Sequence, residues 1–175
     1  MFFRKLASRY SLSGLPVIQT ARLRIETLVP KDAEGVRALT DDPAITGAVD
    51  FLPDPFTLRD AQRLIAGNKA VGDRFLGIRD ESGALVGVIG THLRGDQAVE
   101  IGYWIGGAAR GRGYGSEAVA GLVALLRRRF PHRLIVAECR PENTASSGLL
   151  RKVGFRDTGD EGHRPGRRIF VIEPT

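Results

Sequence analysis

The stretch from Phe75 to Ile105 limits the architecture more than any other. Phe75-Leu76-Gly77-Ile78-Arg79 and Ala84-Leu85-Val86-Gly87-Val88-Ile89-Gly90 are apolar runs separated only by Asp80-Glu81-Ser82-Gly83. Two such runs on a short, polar, glycine-containing link read as a β-hairpin. Gly95-Asp96 marks another turn, and Ala98 to Ile105 is a third strand. The middle of the chain is therefore expected to be an antiparallel meander.

After the meander the period changes. Ser116 to Phe130 carries Val119, Leu122, Val123, Leu126 and Phe130 on one apolar stripe at helical spacing. Arg127, Arg128 and Arg129 suit the negative end of that helix, and Pro131 stops it. Leu134 to Ala137 reads as a short buried strand, Asn143 to Val153 as a second helix ending at Gly154, and Arg168 to Ile172 as a closing strand. Upstream, Arg22 to Leu28 alternates polar and apolar residues, as a half-buried strand does. Pro30-Lys31-Asp32 opens a helical stretch carrying Ala33, Val36 and Leu39. Residues 41–57 hold Pro43, Pro53 and Pro55 and read mostly as loop, a surface suited to holding substrate. Thr57 is placed to cap a helix with Ala61, Leu64 and Ile65. The expected division is a basic N-terminal extension, 1–16, and a single domain, 17–175, of α/β class with a mixed sheet.

Composition narrows the functions. At 175 residues with 42% hydrophobic and 26% charged residues, the chain fits one globular domain. A single cysteine, Cys139, excludes a disulfide framework and a C-x-x-C zinc site, and reads as a buried structural thiol. His92, His132 and His163 have no metal-ligand spacing, so no metal is expected. No apolar stretch approaches the ~20 residues of a membrane span, which leaves a reduced, cytoplasmic protein as the default. Lys plus Arg number 26 against 20 acids, a net charge of +6. That excess suits an anionic partner: nucleic acid, membrane phosphate or a phosphorylated cofactor.

Arg110-Gly111-Arg112-Gly113-Tyr114-Gly115, between a strand and a helix, selects among these. Alternate glycines let backbone approach a ligand, and the following helix start offers free N–H groups at a positive dipole end. Arg110 and Arg112 add charge to this anion nest. A P-loop would need Lys then Ser or Thr after its last glycine, but Arg112 and Gly113 follow Gly111. A dinucleotide fingerprint would need glycine where Ser116 stands.

The pattern R-x-x-G-x-G, met by Arg110, Gly113 and Gly115, resembles that of the GNAT superfamily of acetyl-CoA-dependent N-acetyltransferases. Glu100-Ile101-Gly102-Tyr103-Trp104-Ile105 is similar to the central strand of its RimJ/RimL-type branch. Asn143-Thr144-Ala145-Ser146 followed by Gly154-Phe155 is similar to that branch's N-x-x-S…GF segment, and Thr20-Ala21-Arg22-Leu23-Arg24-Ile25 to its opening strand. The resemblance covers roughly residues 19–173. It implies an antiparallel meander followed by splayed parallel strands, flanked by helices, with acetyl-CoA as donor substrate.

By that resemblance the backbone of Trp104 and Ile105 pairs with the pantetheine arm, and the N–H groups of Gly111, Arg112, Gly113, Tyr114 and Gly115 hold the pyrophosphate. Asn143 bonds the pantetheine or acetyl end, or only caps its helix. Ser146 lies near the thioester sulfur. The amine must lose a proton and the leaving thiolate must gain one. Glu100 is the candidate base, through water, or else half of a structural ion pair. Many superfamily members carry a tyrosine acid where Leu150 stands, so the acid here falls to Ser146 or water. An α-amine with pKa ~7.7–8.0 is roughly a tenth neutral at pH 7, against ~0.04% for lysine, so a weak base suits a protein or peptide N-terminus, that of a ribosomal protein included. The alternatives are a small amine acceptor (an antibiotic, polyamine or amino acid) and a non-catalytic basic module on RNA or the ribosome. Scattered arginines without stacking aromatics argue against direct nucleic-acid binding. Monomer and homodimer both remain open.

Overall fold

The computed structural model describes residues 11–67 and 72–174. Among these, eight strands form one sheet: β1 (Ile18–Gln19), β2 (Arg24–Thr27), β3 (Arg74–Arg79), β4 (Leu85–Arg94), β5 (Ala98–Ile105), β6 (Leu134–Cys139), β7 (Arg156–Glu161) and β8 (Arg168–Ile172). The first six lie side by side in chain order, and β8 sits between β6 and β7. The expected meander is present. The Asp80–Gly83 link closes tightly because Asp80 Oδ1 accepts the N–H groups of Ser82 and Ala84. The helices are α1 (Ala33–Thr40), α2 (Pro43–Thr46), α3 (Leu58–Ala66), α4 (Tyr114–Arg129) and α5 (Thr144–Val153). Thr57 caps α3 reciprocally with Asp60, as its sequence position suggests.

Strand alternation gives the sheet two apolar faces. Ile89, Val99 and Ile101 pack with Val119, Leu122 and Leu126 of α4 on one face. Val88 and Trp104 pack with Val36, Phe56 and Leu64 on the other. Each face is closed by its own helices.

The parallel pair β5–β6 positions the site. Its register runs from Ala98 opposite Leu134 to Ile101 opposite Ala137. Both strands continue, to Ile105 and Cys139, without pairing further. The strands part there, and the sheet has a gap beside residues 102–105 of β5.

Some elements differ from expectation. Helix α4 begins at Tyr114 rather than Ser116, because Gly113 at φ 80° is already its N-cap. The opening strand is shorter than Arg22–Leu28. Strands β1 and β7 carry no sequence signal: one is two residues long, and the other reads Arg-Asp-Thr-Gly-Asp-Glu, polar throughout. Residues 1–10 of the basic extension lie outside the described residues. Leu12 of the remainder is buried in the core, and Arg129 donates to the carbonyls of Ser11 and Ser13.

Candidate active site

A cavity of about 630 Å³ passes through the gap, with Tyr114, Gly115 and Ser146 on the α4 side and Phe51, Phe75 and His92 on the opposite side. The anion nest forms one end. Gly111 and Gly113 have φ of 73° and 80°, left-handed values that cost a side-chain-bearing residue ~1–2 kcal/mol. They turn successive N–H groups toward the start of α4, a fixed positive end suited to pyrophosphate.

The two nest arginines, expected to add charge there, are placed differently: Arg110 lines the cavity and Arg112 does not. Arg110 donates from Nε to the Ile105 carbonyl at 3.1 Å and bridges to Asp42 at 3.2 Å, so it braces the nest against the start of α2. Arg112 does not line the cavity; its guanidinium lies 4.8 Å from the Tyr114 ring centroid. Arg22, which sequence reasoning missed, sits 4.9 Å from the same centroid and donates to the Arg112 carbonyl at 2.9 Å. Glu117 fixes Arg22: its Oε2 accepts from the guanidinium and its Oε1 from the Arg22 main-chain N–H. Burial would raise the Glu117 carboxyl, but its hydrogen bonds to Thr20 and Arg22 hold it below its ordinary value.

Strand alternation also reassigns a backbone role. Gly106 N–H bonds the Val86 carbonyl, so the even residues of β5 bond to β4. The Trp104 carbonyl accordingly faces β4. Tyr103 presents its N–H and C=O to the gap instead, and Ile105 its N–H, the Ile105 carbonyl being taken by Arg110; this is an edge to which an extended chain can add. Trp104 contributes its side chain, which donates to Thr40 Oγ1 at 3.0 Å.

Asn143 caps α5 by accepting from Ser146 N–H at 3.0 Å, which leaves its amide NH₂ for a ligand. Ser146 Oγ lies 3.0 Å from the Tyr103 hydroxyl. Burial pushes the Tyr103 phenol up to about 12, so this hydroxyl pair stays protonated at neutral pH. Tyr103 thus supplies a phenol near Ser146, although Leu150 is a buried core leucine. Burial also pushes the Cys139 thiol up, consistent with an inert core cysteine.

On the opposite face, His92 and Glu100 are cross-strand partners. Glu100 is 3% exposed. Its Oε2 accepts from Arg94 at 2.6 Å, and its Oε1 accepts from Arg164. Arg164 also donates to Glu138 at 2.9 Å, making a Glu100–Arg164–Glu138 chain across the gap. His92 Nδ1 lies 2.9 Å from Asp73 Oδ1, and its Nε2 lies over Gly90. The pair was legible in principle: the two turn signals fix a register in which His92 faces Glu100. Among the described residues no group of His, Cys, Asp and Glu forms a metal site.

A model of the acetyltransferase (GNAT) domain matches residues 22–156, most of the chain. The chain is a GNAT N-acetyltransferase. Its relatives include an uncharacterized N-acetyltransferase, YnaD, from Bacillus subtilis, 28% identical over 81% of this chain and 84% of that one. A GNAT acetyltransferase structure from Bacillus anthracis superposes with a TM-score of 0.79 at 25% identity, over 90% of this chain and 98% of that one. RimL, a ribosomal L7/L12 alpha-N-protein acetyltransferase solved with coenzyme A, has the same fold, with a TM-score of 0.79 at 18% identity over 91% and 98% of the two chains. The donor substrate of this GNAT acetyltransferase is acetyl-CoA. The nest, the unpaired edge of β5 and the free Asn143 amide fit its pyrophosphate and its pantetheine amides. Among the described residues no helix is long and apolar enough to cross a membrane.

Proposed function

We propose that this acetyltransferase modifies a primary α-amine, that of a peptide or protein N-terminus, in the manner of RimJ/RimL-type enzymes and in the cytoplasm. Residues 17–175 form the catalytic domain, and 1–16 its basic extension. The observation that carries the reading is the cavity through the gap in the sheet. It joins a hydroxyl pair on the donor face to a histidine–carboxylate pair on the other.

Acetyl-CoA supplies the thioester carbonyl that the amine attacks. Gly111, Gly113 and the first turn of α4 hold its pyrophosphate, and Tyr103 offers backbone partners to its arm. The Ile105 N–H faces the gap and suits the developing oxyanion, a role worth ~3–4 kcal/mol where such donors have been removed. We assign proton removal to His92 rather than Glu100, because both Glu100 oxygens are engaged by guanidinium groups. Asp73 fixes the imidazole with Nε2 over the cavity floor, and a bridging water carries the proton. Glu100 then holds Arg94 and Arg164 in place. Ser146, backed by Tyr103, returns a proton to the leaving sulfur.

The test is direct. Saturating acetyl-CoA should raise the melting temperature, and thiol should be released when a peptide with a free N-terminus is added. Release with small amines alone would move the acceptor to that class. No thermal shift would remove the donor site.

A further inference from the structure

On the His92 face, the floor of the cavity is bare at Gly102, while the Phe75 ring and His92 Nε2 lie over Gly90. Gly90 and Gly102 pair directly across β4 and β5, and neither brings a side chain to that face. A Cβ added at Gly102 meets no atom within 4 Å, so the space above it is open. Aromatic rings stand around this floor. Phe75, opposite Gly90 on β3, lies 6.3 Å from the Trp104 ring, and Phe51 lies 5.9 Å from Phe75 and 6.3 Å from Trp104. The fourth ring, His92, stands edge-on to Phe75 at 5.4 Å.

Phe51 is the telling member. It is 51% exposed, the most exposed of the large apolar side chains among the described residues. It sits on the loop after α2 and touches buried Trp104 and half-buried Phe75 while leaving its outer surface to water. A second cavity, of about 940 Å³, opens at Phe51 and runs toward Phe56 and Leu64. Both cavities are lined by Phe51, Phe75, His92, Glu100 and Arg164, so the aromatic space is continuous with the reaction centre.

We infer that the acceptor of this acetyltransferase carries an aromatic or large aliphatic group beside its primary amine, seated on the open floor at Gly102 beside Phe51, Phe75 and Trp104. The inference rests on the acetyl-transfer reading above and names the acceptor within it. Phe51, Phe75 and Trp104 contact one another and favour a further ring or a branched aliphatic group packed against their cavity side, and its burial removes apolar surface from water on both partners. The amine then points along the floor toward His92 and the gap. A serine or alanine side chain would leave the rings uncovered and the space filled with poorly bonded water. Each methylene missing from an apolar site costs ~10–200-fold in kcat/KM, so the preference should be large.

The chain's one tryptophan is Trp104, which gives a readout independent of turnover. The test uses the full chain, acetyl-CoA and peptides identical except for a first residue of Phe, Leu, Ala or Ser, with 2-phenylethylamine as a small-amine arm. The expected result is a kcat/KM at least ~10-fold higher for Phe or Leu than for Ser, with matching change in Trp104 fluorescence on titration with the preferred peptide. Phe51→Ala, on the exposed lip, should compress that preference. Gly102→Ala should shift it toward Ala and Ser. Acetylation of 2-phenylethylamine as efficient as that of the Phe peptide would support the same chamber and assign it to a small amine. Equal or reversed preference among the peptides, with brisk thiol release, would overturn the inference and leave acetyl transfer standing. No thiol release with any amine, despite a thermal shift with acetyl-CoA, would overturn the transfer reading and this inference with it.

Discussion

Arg164→Met offers a sharp test of how the acceptor side is held together. Arg164 donates to both Glu100 and Glu138, whose side chains are 4% and 3% exposed. Removing the cation leaves two buried carboxylates, of which Glu100 keeps Arg94 and Glu138 keeps only the His163 N–H at 2.7 Å and the Arg164 main-chain N–H. Breaking a buried pair costs ~3–5 kcal/mol; since Arg164 is itself 35% exposed and water can enter its place, the lower end applies. At ~2–4 °C per kcal/mol for a domain of this size, about 3 kcal/mol lowers Tm by ~6–12 °C at pH 7. The loss should depend on pH. In the native chain burial would raise the Glu138 carboxyl, but the Arg164 hydrogen bond, the His163 N–H and the Arg164 charge carry it below its ordinary value. A depressed carboxylate contributes stability that is present above its unfolded pKa and lost as pH falls through the folded one. In the variant burial acts with little opposition, so protonation relieves the strain. The gap between variant and native Tm should therefore narrow from pH 7 to pH 5. Thermal denaturation by circular dichroism at both values measures it. A loss under ~1 °C, or one independent of pH, would refute the buried-triad reasoning. Adding Glu138→Gln to Arg164→Met should recover part of the loss, because it removes the carboxylate left short of a partner.

Three further outcomes follow from the site. Gly113→Ala forces a side chain to φ 80° at the cap of α4 and should cost ~1–2 kcal/mol, with KM for acetyl-CoA raised and KM for the amine unchanged. Tyr103→Phe should lower kcat ~10–100-fold with little change in either KM, and the native enzyme should show no loss from this phenol below about pH 10, since it is pushed up to about 12. His92→Gln should lower kcat at least ~100-fold while the thermal shift with acetyl-CoA persists, whereas Glu100→Gln should act chiefly through stability and the amine's KM. A larger kcat loss in Glu100→Gln than in His92→Gln would return the base role to Glu100.

The meander and α4 are legible in the sequence because local signals specify them: turn residues at fixed offsets and an apolar stripe of one period. The nest is legible for the same reason, as its glycines are needed for backbone shape alone. What escapes is set by partners distant in sequence. Arg110 reads as charge for the nest, and only the structure shows that it also bonds Asp42 and the Ile105 carbonyl. Arg164, Arg167 and Arg168 look like spare charge, yet they pair with Glu100, Asp50 and Asp157. These three arginines are therefore structural, and since each is matched by a carboxylate the +6 excess is carried by other cations of the chain. Trp104 was read for its backbone, and only the hydrogen-bond parity of β5 shows that its neighbours Tyr103 and Ile105 face the gap. The polar strand β7 forms because β8 offers it an edge, which no local pattern records.

Because β5 and β6 part after Ile101, the sheet is a wall with a window, and in the proposed function each substrate reaches that window from its own side. Neither doorway lies in the path of the other. Donor and acceptor need not take turns at one entrance, so both should reside on the enzyme together before any bond changes, and initial-rate plots at several fixed amine concentrations should intersect rather than run parallel. The spent thiol can withdraw along the nest without waiting for the acetylated product to leave. A bulky or tethered acceptor, even one still attached to a large assembly, then obstructs only one of the two routes.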